Sequence, residues 1–182
     1  LSTGIATAGT HQASYAGIGD GYLMKFTPAG TKVWGTYLGG SNFDYLRTVI
    51  TDDKGDIYVS GDTKSTTGIA STGAYQSSLA GQNDAFLIQF STDGVRKYGT
   101  YYGGTGYESH GGGNGNSYGN GILAYCKGKI YTGAQTTSST GIATTGTYQT
   151  SLNSSDDVFI VQFDADTSVY IKQPFVDTGL CI

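Results

Sequence analysis

The residues best suited to chemistry crowd into one Gly-rich stretch. Glu108, His110, Asn114, Asn116 and Tyr118 bring together a carboxylate, an imidazole, two amides and an aromatic ring. Such a set can hydrogen-bond a ligand and stack against it. The same stretch holds Gly115-Asn116-Ser117-Tyr118-Gly119, which matches the G-x-S-x-G pattern of a nucleophilic serine. That chemistry needs a strand before the serine, a helix after it and a histidine later in the chain. His11 and His110 both precede Ser117, and the segment that follows it is strand-like, so no hydrolase is expected. Gly112-Gly113-Asn114-Gly115 is close to a calcium-binding nonapeptide, yet Ser117 stands where an Asp is needed and there is no second copy.

Other catalytic groupings fail on geometry. Asp52-Asp53 and Asp156-Asp157 are adjacent in turn sequences, and neighbours on an extended chain point apart, so they cannot share acid and base roles. Gripping a carboxylate substrate takes an arginine cluster, whereas Arg47 and Arg96 occupy unrelated positions. Two cysteines and two distant histidines cannot assemble a zinc site. The sequence therefore predicts no catalytic residues, no metal and no cofactor.

Ten basic against fourteen acidic residues leave a net charge of -4, which gives no footprint for nucleic acid. No apolar run approaches the roughly 20 residues that span a bilayer, so membrane insertion is not expected. Leu1-Ser2-Thr3 has neither an initiator Met nor the look of a signal peptide, and the chain is expected to be part of a longer polypeptide.

The elements that must position these residues come from an internal repeat. Gly4-Ile5-Ala6, Gly68-Ile69-Ala70 and Gly141-Ile142-Ala143 each open a stretch that reaches a Gln, then an Asp, then an apolar strand. A repeat of this size is one supersecondary unit that cannot bury its own faces. The unit covering residues 41–104 has strand patterns at about Leu46 to Thr51, Asp56 to Ser60, Ala85 to Phe90 and Arg96 to Tyr102. Lys54-Gly55 and Asp93-Gly94 supply turns between them. Residues 1–40 read as the second half of a unit, 105–165 as a third unit and 166–182 as an atypical tail. Four antiparallel strands per repeat predict an all-β fold of β-propeller blades, about two and a half of the 4 to 8 that close a ring.

The third strand carries the packing prediction. Phe86, Ile88 and Phe90 alternate with Ala85 and Leu87, so both faces are largely apolar, as expected of a sheet covered on both sides. Asp20, Asp84 and Asp157 recur just before this strand. One Asp per repeat is expected to accept backbone N–H bonds in a turn. Tyr75, Tyr148 and the equivalent His11 are read as loop-packing residues.

These motifs bear a family resemblance. Gly-Thr-Tyr-Leu/Tyr-Gly-Gly (residues 35–40 and 99–104), Gly55-Asp56-Ile57-Tyr58-Val59-Ser60-Gly61, Gly73-Ala74-Tyr75-Gln76 and Asp84 to Phe90 together resemble the SBBP-type β-propeller repeats of large secreted bacterial proteins. Gly4 to Gln12 and Gly141 to Gln149 are most similar to versions in Bacteroidetes-type exported proteins. The resemblance covers residues 1 to about 165. It implies a modular secreted or cell-surface protein, exported by a type IX system where the host is of that group. The family pattern carries no catalytic residues.

Function on such a scaffold belongs to its loops. Lys127 follows Gly104 by 23 positions where Lys54 follows Gly40 by 14, an excess of nine that falls around residues 109–118. This insertion reads as a binding loop, against the plainer alternative of a neutral surface extension. The leading expectation is a noncatalytic scaffold whose partners are the remaining blades of its parent chain or other surface proteins. A glycan-binding propeller and a fragment of an enzyme completed by other blades are the alternatives. Cys126 and Cys181 are an even pair in an exported context, so a disulfide tying the tail to the third unit is expected, against two unrelated thiols. Mass spectrometry without reductant should find no alkylatable thiol, and recovery of two free thiols would reject the bridge.

Overall fold

The computed structural model describes residues 4–110 and 121–165. Every regular element among them is a β-strand: β1 Gly21–Phe26, β2 Lys32–Leu38, β3 Asp44–Thr51, β4 Ile57–Thr63, β5 Asp84–Phe90, β6 Arg96–Tyr102, β7 Glu108–Ser109, β8 Ile122–Cys126, β9 Lys129–Thr136 and β10 Asp157–Asp164. All strand pairs are antiparallel, and they form three sheets. The first contains β1 and β2, and the second runs β3-β4-β5-β6. In the third, β9 lies between β10 and the successive short strands β7 and β8.

Turn chemistry sets the hairpins. Gly55 and Gly94 take φ of +81°, a conformation that L side chains rarely adopt. Each amide closes its turn, Gly55 N on Asp52 O at 3.1 Å and Gly94 N on Ser91 O at 2.9 Å. The four strands expected between residues 41 and 104 are all present, but β3 begins earlier, at Asp44, and β4 continues to Thr63. Side chains explain the extra length, because the Thr63 hydroxyl donates to Asp44 Oδ1 at 2.5 Å and ties the two strand ends together.

The second sheet is sandwiched. Phe86, Ile88 and Phe90 pack with Trp34 and Leu38 of the first sheet, in a cluster that also takes in Ile57 and Val59. The other face, with Tyr58, Ala85, Leu87 and Tyr102, packs with Ile130, Phe159, Val161 and Phe163 of the third sheet. Phe86 and Leu87 point to opposite faces and are each only 1% exposed. The apolar reading of both faces of this strand is thus met by an apolar neighbour on each side.

The outer faces of the stack are bare at the same register positions. Tyr22 and Phe26 on β1 are 58% and 53% exposed, where the equivalents Phe86 and Phe90 on β5 are buried. Val158 and Ile160 on β10 are 77% and 59% exposed, where Ala85 and Leu87 are buried. The loop rings repeat this pattern. His11 lies edge-on to Phe90 with ring centroids 5.8 Å apart, and Tyr75 lies edge-on to Phe163 at 6.4 Å. Tyr148, next in the series, is fully exposed.

Two residues at one register position thus have opposite surroundings. Phe86→Ala should destabilise the chain by about 3–5 kcal/mol through loss of a buried ring. Tyr22→Ala should change stability by no more than about 0.5 kcal/mol. Urea denaturation of both variants measures the contrast, and equal losses would contradict the packing described.

Candidate functional site

Carboxylates with repeated hydrogen-bond sets define the junctions between sheets. Asp20, Asp84 and Asp157 are held alike, accepting from the side-chain amides of Gln12 (2.6 Å), Gln76 (2.6 Å) and Gln149 (2.7 Å). Their second partners are the backbone N–H groups of Ala16 (2.9 Å), Ala80 (2.9 Å) and Asn153 (2.7 Å). The turn role expected for these aspartates matches this geometry. The sequence reading placed a Gln in each turn, eight residues before the Asp in all three copies, but gave it no part in holding that Asp.

A second carboxylate meets the first at the start of the next sheet. Asp44 Oδ2 accepts Gly40 N at 2.8 Å and Ser65 Oγ at 2.7 Å, while Oδ1 accepts Thr63 Oγ1. Glu108 repeats the arrangement with Gly104 N at 2.9 Å, Thr136 Oγ1 at 2.7 Å and Ser138 Oγ at 2.5 Å. A methyl group added at Gly39 would strike Asp20 and Asp44, and one at Gly103 would strike Asp84 and Glu108, so only glycine fits between each pair. Burial pushes the Glu108 carboxyl above its ordinary value, with the Asp84 charge adding to the rise and the hydroxyl and amide donors opposing it. Asp44 and Asp84 are also raised by burial, and Asp44 feels Asp20 as Glu108 feels Asp84.

Glu108 is therefore fully buried at the start of β7 and committed to the fold. It is not displayed on a loop as the sequence reading placed it. The signal available was the spacing Gly39-Gly40 to Asp44, repeated as Gly103-Gly104 to Glu108. Asn114, Asn116 and Tyr118 lie outside the described residues, as does Cys181; Cys126 ends β8. The G-x-S-x-G segment is likewise outside them.

His110 is also buried, and it completes a cluster that the sequence did not announce. Its Nε2 lies 3.2 Å from Ser60 Oγ, and Ser60 Oγ lies 3.0 Å from Thr132 Oγ1 of the third sheet. Its Nδ1 faces Asp62 Oδ1 at 3.8 Å, too far for a hydrogen bond. Arg47 Nε donates to the same oxygen at 3.0 Å. Burial alone would raise the Asp62 carboxyl, but the hydrogen bond and charge of Arg47, with the His110 imidazole close by, outweigh it and hold the group below its ordinary value.

Serine, histidine and aspartate in this order resemble a hydrolytic relay, but their surroundings fit a structural role. Ser60 and Asp62 sit on one face of β4, two residues apart, as strand periodicity dictates. The Ser60 hydroxyl donates to the Phe86 carbonyl at 2.9 Å, so its oxygen is left to accept the imidazole Nε2 proton. Ser60 is wholly buried, and its oxygen has no exposed surface to offer a substrate. His110 occupies the repeat position of Leu46, with the same separation that relates Asp44 to Glu108.

No family model matches the chain, and no curated protein matches its sequence.

Raised carboxyls leave a signature in the pH dependence of stability. The fold binds the Glu108 proton more tightly than the unfolded chain does. On this account stability is gained as pH falls from neutral through the raised folded value, and levels off below the unfolded value of about 4.3. Urea unfolding between pH 7 and 5 should show the native chain gaining stability relative to Glu108→Gln. Parallel curves would contradict the assignment. Glu108→Ala, which strands a buried amide, should lose about 2–3 kcal/mol at either pH.

Proposed function

We propose that this chain is a run of β-propeller blades acting as a noncatalytic, secreted or cell-surface scaffold for protein interaction or adhesion. The observation that carries the propeller reading is register: residues buried on both faces of the second sheet have counterparts left bare on the outer faces of the first and third. A stack with two open apolar ends is satisfied by further sheets of its kind, supplied by the parent polypeptide or a partner, and by ring closure. The hydrogen-bond set repeated from sheet to sheet and the resemblance to SBBP-type repeats of secreted bacterial proteins support the same reading. Cryo-electron microscopy of the full polypeptide should show a closed ring of about 4 to 8 sheets. An open or solenoid array would reject it.

The scaffold role rests on how polar and acidic side chains are used. Asp20, Asp84, Asp157, Asp44 and Glu108 are consumed in holding loops and strand ends, and His110 in joining two sheets. What differs between repeats is the insertion of nine residues after His110, the natural place for a partner contact. Deleting residues 111–119 should leave the thermal midpoint within about 2 °C, consistent with a surface change of about 0.5 kcal/mol or less. The same deletion should abolish capture of the surface partners that the parent protein retains in crosslinking pull-downs. Undiminished capture would remove the binding role from this loop.

A further inference from the structure

The loop before β10 departs from its two counterparts at the residues on which the following sheet rests. In the first two sheets this loop receives the segment that opens the next sheet. Ile18 N donates to Asn42 O at 3.3 Å and Asp44 N to Gly19 O at 2.6 Å. One sheet later, Gln82 N donates to Gly106 O at 3.1 Å and Glu108 N to Asn83 O at 2.8 Å. Gly17 and Gly81 lie directly under these contacts. A methyl group at Gly17 would run into the carbonyl oxygens of Gly40 and Asn42, and one at Gly81 into those of Gly104 and Gly106. Neither glycine has a positive φ, so lack of space is what excludes a side chain there.

In the third copy Ser154 takes the place of Gly17 and Gly81, three residues before the Asp. The loop keeps its shape around it, because Asn153 N donates to Asp157 Oδ2 at 2.7 Å as Ala80 N donates to Asp84 Oδ2 at 2.9 Å. Two further groups are turned against a neighbour of the same kind. Asp156 O is the counterpart of the Gly19 and Asn83 carbonyls that accept the first strand amide of the next sheet, and here it accepts the Ser154 hydroxyl at 3.0 Å. Asn83 also donates its side-chain amide to Glu108 O at 2.6 Å, whereas a carboxylate at position 156 has no proton to give. That carboxylate adds a negative charge where the incoming segment brings an acid of its own.

We infer that residues 153–157 form an end-stop: the third sheet does not accept a neighbour that enters through the Gly-Gly-x-x-x-acid segment joining the sheets of this chain. The neighbour that fits this rim has a different entry, with a backbone that stands off by the length of a serine side chain and N–H donors that meet the Asp156 carboxylate. The inference rests on the two junctions within the chain, and it holds for a closed ring or an open array. In the ring proposed above, the seam lies beside the third sheet.

Hydrogen exchange of the full chain tests the stop by moving it one sheet earlier. Gly81→Ser combined with Asn83→Asp, set against the Gly103-Gly104 to Glu108 entry, should speed exchange of β9 and β10 amides by about tenfold or more while β1 and β2 keep their protection. Ala80→Asn, which copies the exposed Asn153 beside the stop, should change exchange in β9 and β10 by less than about twofold. Unchanged exchange in the double variant would overturn the inference. So would protection lost equally from β1 and β2, or an equal effect of Ala80→Asn, since the substitutions would then act on folding in general. Cryo-electron microscopy of the parent polypeptide decides the native case. A Gly-Gly-x-x-x-acid segment seated on Ser154 would overturn the stop, while an open side or a neighbour entering by another connection is the expected result. An array that failed to close would reject the ring and leave the stop standing.

Discussion

Two carboxylates facing each other across a glycine are the constraint on which the stacking of these sheets depends. At Gly103, which follows β6, Asp84 comes from the start of β5 in the second sheet, while Glu108 belongs to the first strand of the third. Each acid is occupied by donors of its own, so the two like charges are held close by the hydrogen bonds around them and not by mutual attraction. Burial at the junction raises both carboxyls, and the Asp84 charge adds to the rise at Glu108. In return, the chain leaving one sheet and entering the next passes through a junction with one geometry. Gly39, with Asp20 and Asp44, makes the same junction one sheet earlier.

Polar junctions of this kind allow the sheet faces to be apolar. Hydrophobic burial is non-directional, and a flat apolar face alone would tolerate sliding of one sheet over another. Phe86, Ile88 and Phe90 meet Trp34 and Leu38 in one register because the loops are pinned at the rims. Side chains from one sheet also reach the turns of the next. Trp34 donates its indole N–H to the Thr92 carbonyl at 3.1 Å, and Lys25 reaches the same carbonyl at 2.9 Å. Tyr58 does the equivalent with the Ala165 carbonyl at 3.1 Å. Direction comes from hydrogen bonds at the edges, and most of the stabilisation from the faces between them.

Much of the fold was legible because it is written three times. The alternation in Ala85 to Phe90 declared a strand with two dry faces, and Gly55 and Gly94 declared the turns. A single sequence conveys less well which polar residues are structural. Asp20, Asp84 and Asp157 could be read as structural because they recur at equal spacing. Glu108 could not, since its counterpart is an Asp, and an acid beside a Gly-rich insertion looks like a ligand-binding group. His110 was misplaced for a related reason: its counterpart Leu46 is apolar and packs inward, but a histidine beside a Gly-rich insertion looks like a ligand-binding group. The Arg47-Asp62-Ser60-His110 cluster joins residues from two repeats across a sheet interface, a relation that spacing along the chain does not encode.

That cluster also explains how the third sheet accepts an insertion. On β3 the pairing with β4 slips between Leu46, opposite Gly61, and Thr48, opposite Ser60, leaving Arg47 as the extra residue of a bulge. In the third sheet β7 ends with Ser109 opposite Gln135, and β8 resumes with Ile122 opposite Gly133. The added residues thus enter at the position where the second sheet already breaks its ladder, and both flanking stretches keep their pairing to β9. His110 stands at this break and turns inward to Ser60. Arg47, from the neighbouring bulge, reaches the Asp62 carboxylate that the imidazole also faces. A bulge is where a strand can gain length without losing its register. The inward histidine anchors the departing chain to the neighbouring sheet, so the insertion leaves the rest of the stack unchanged.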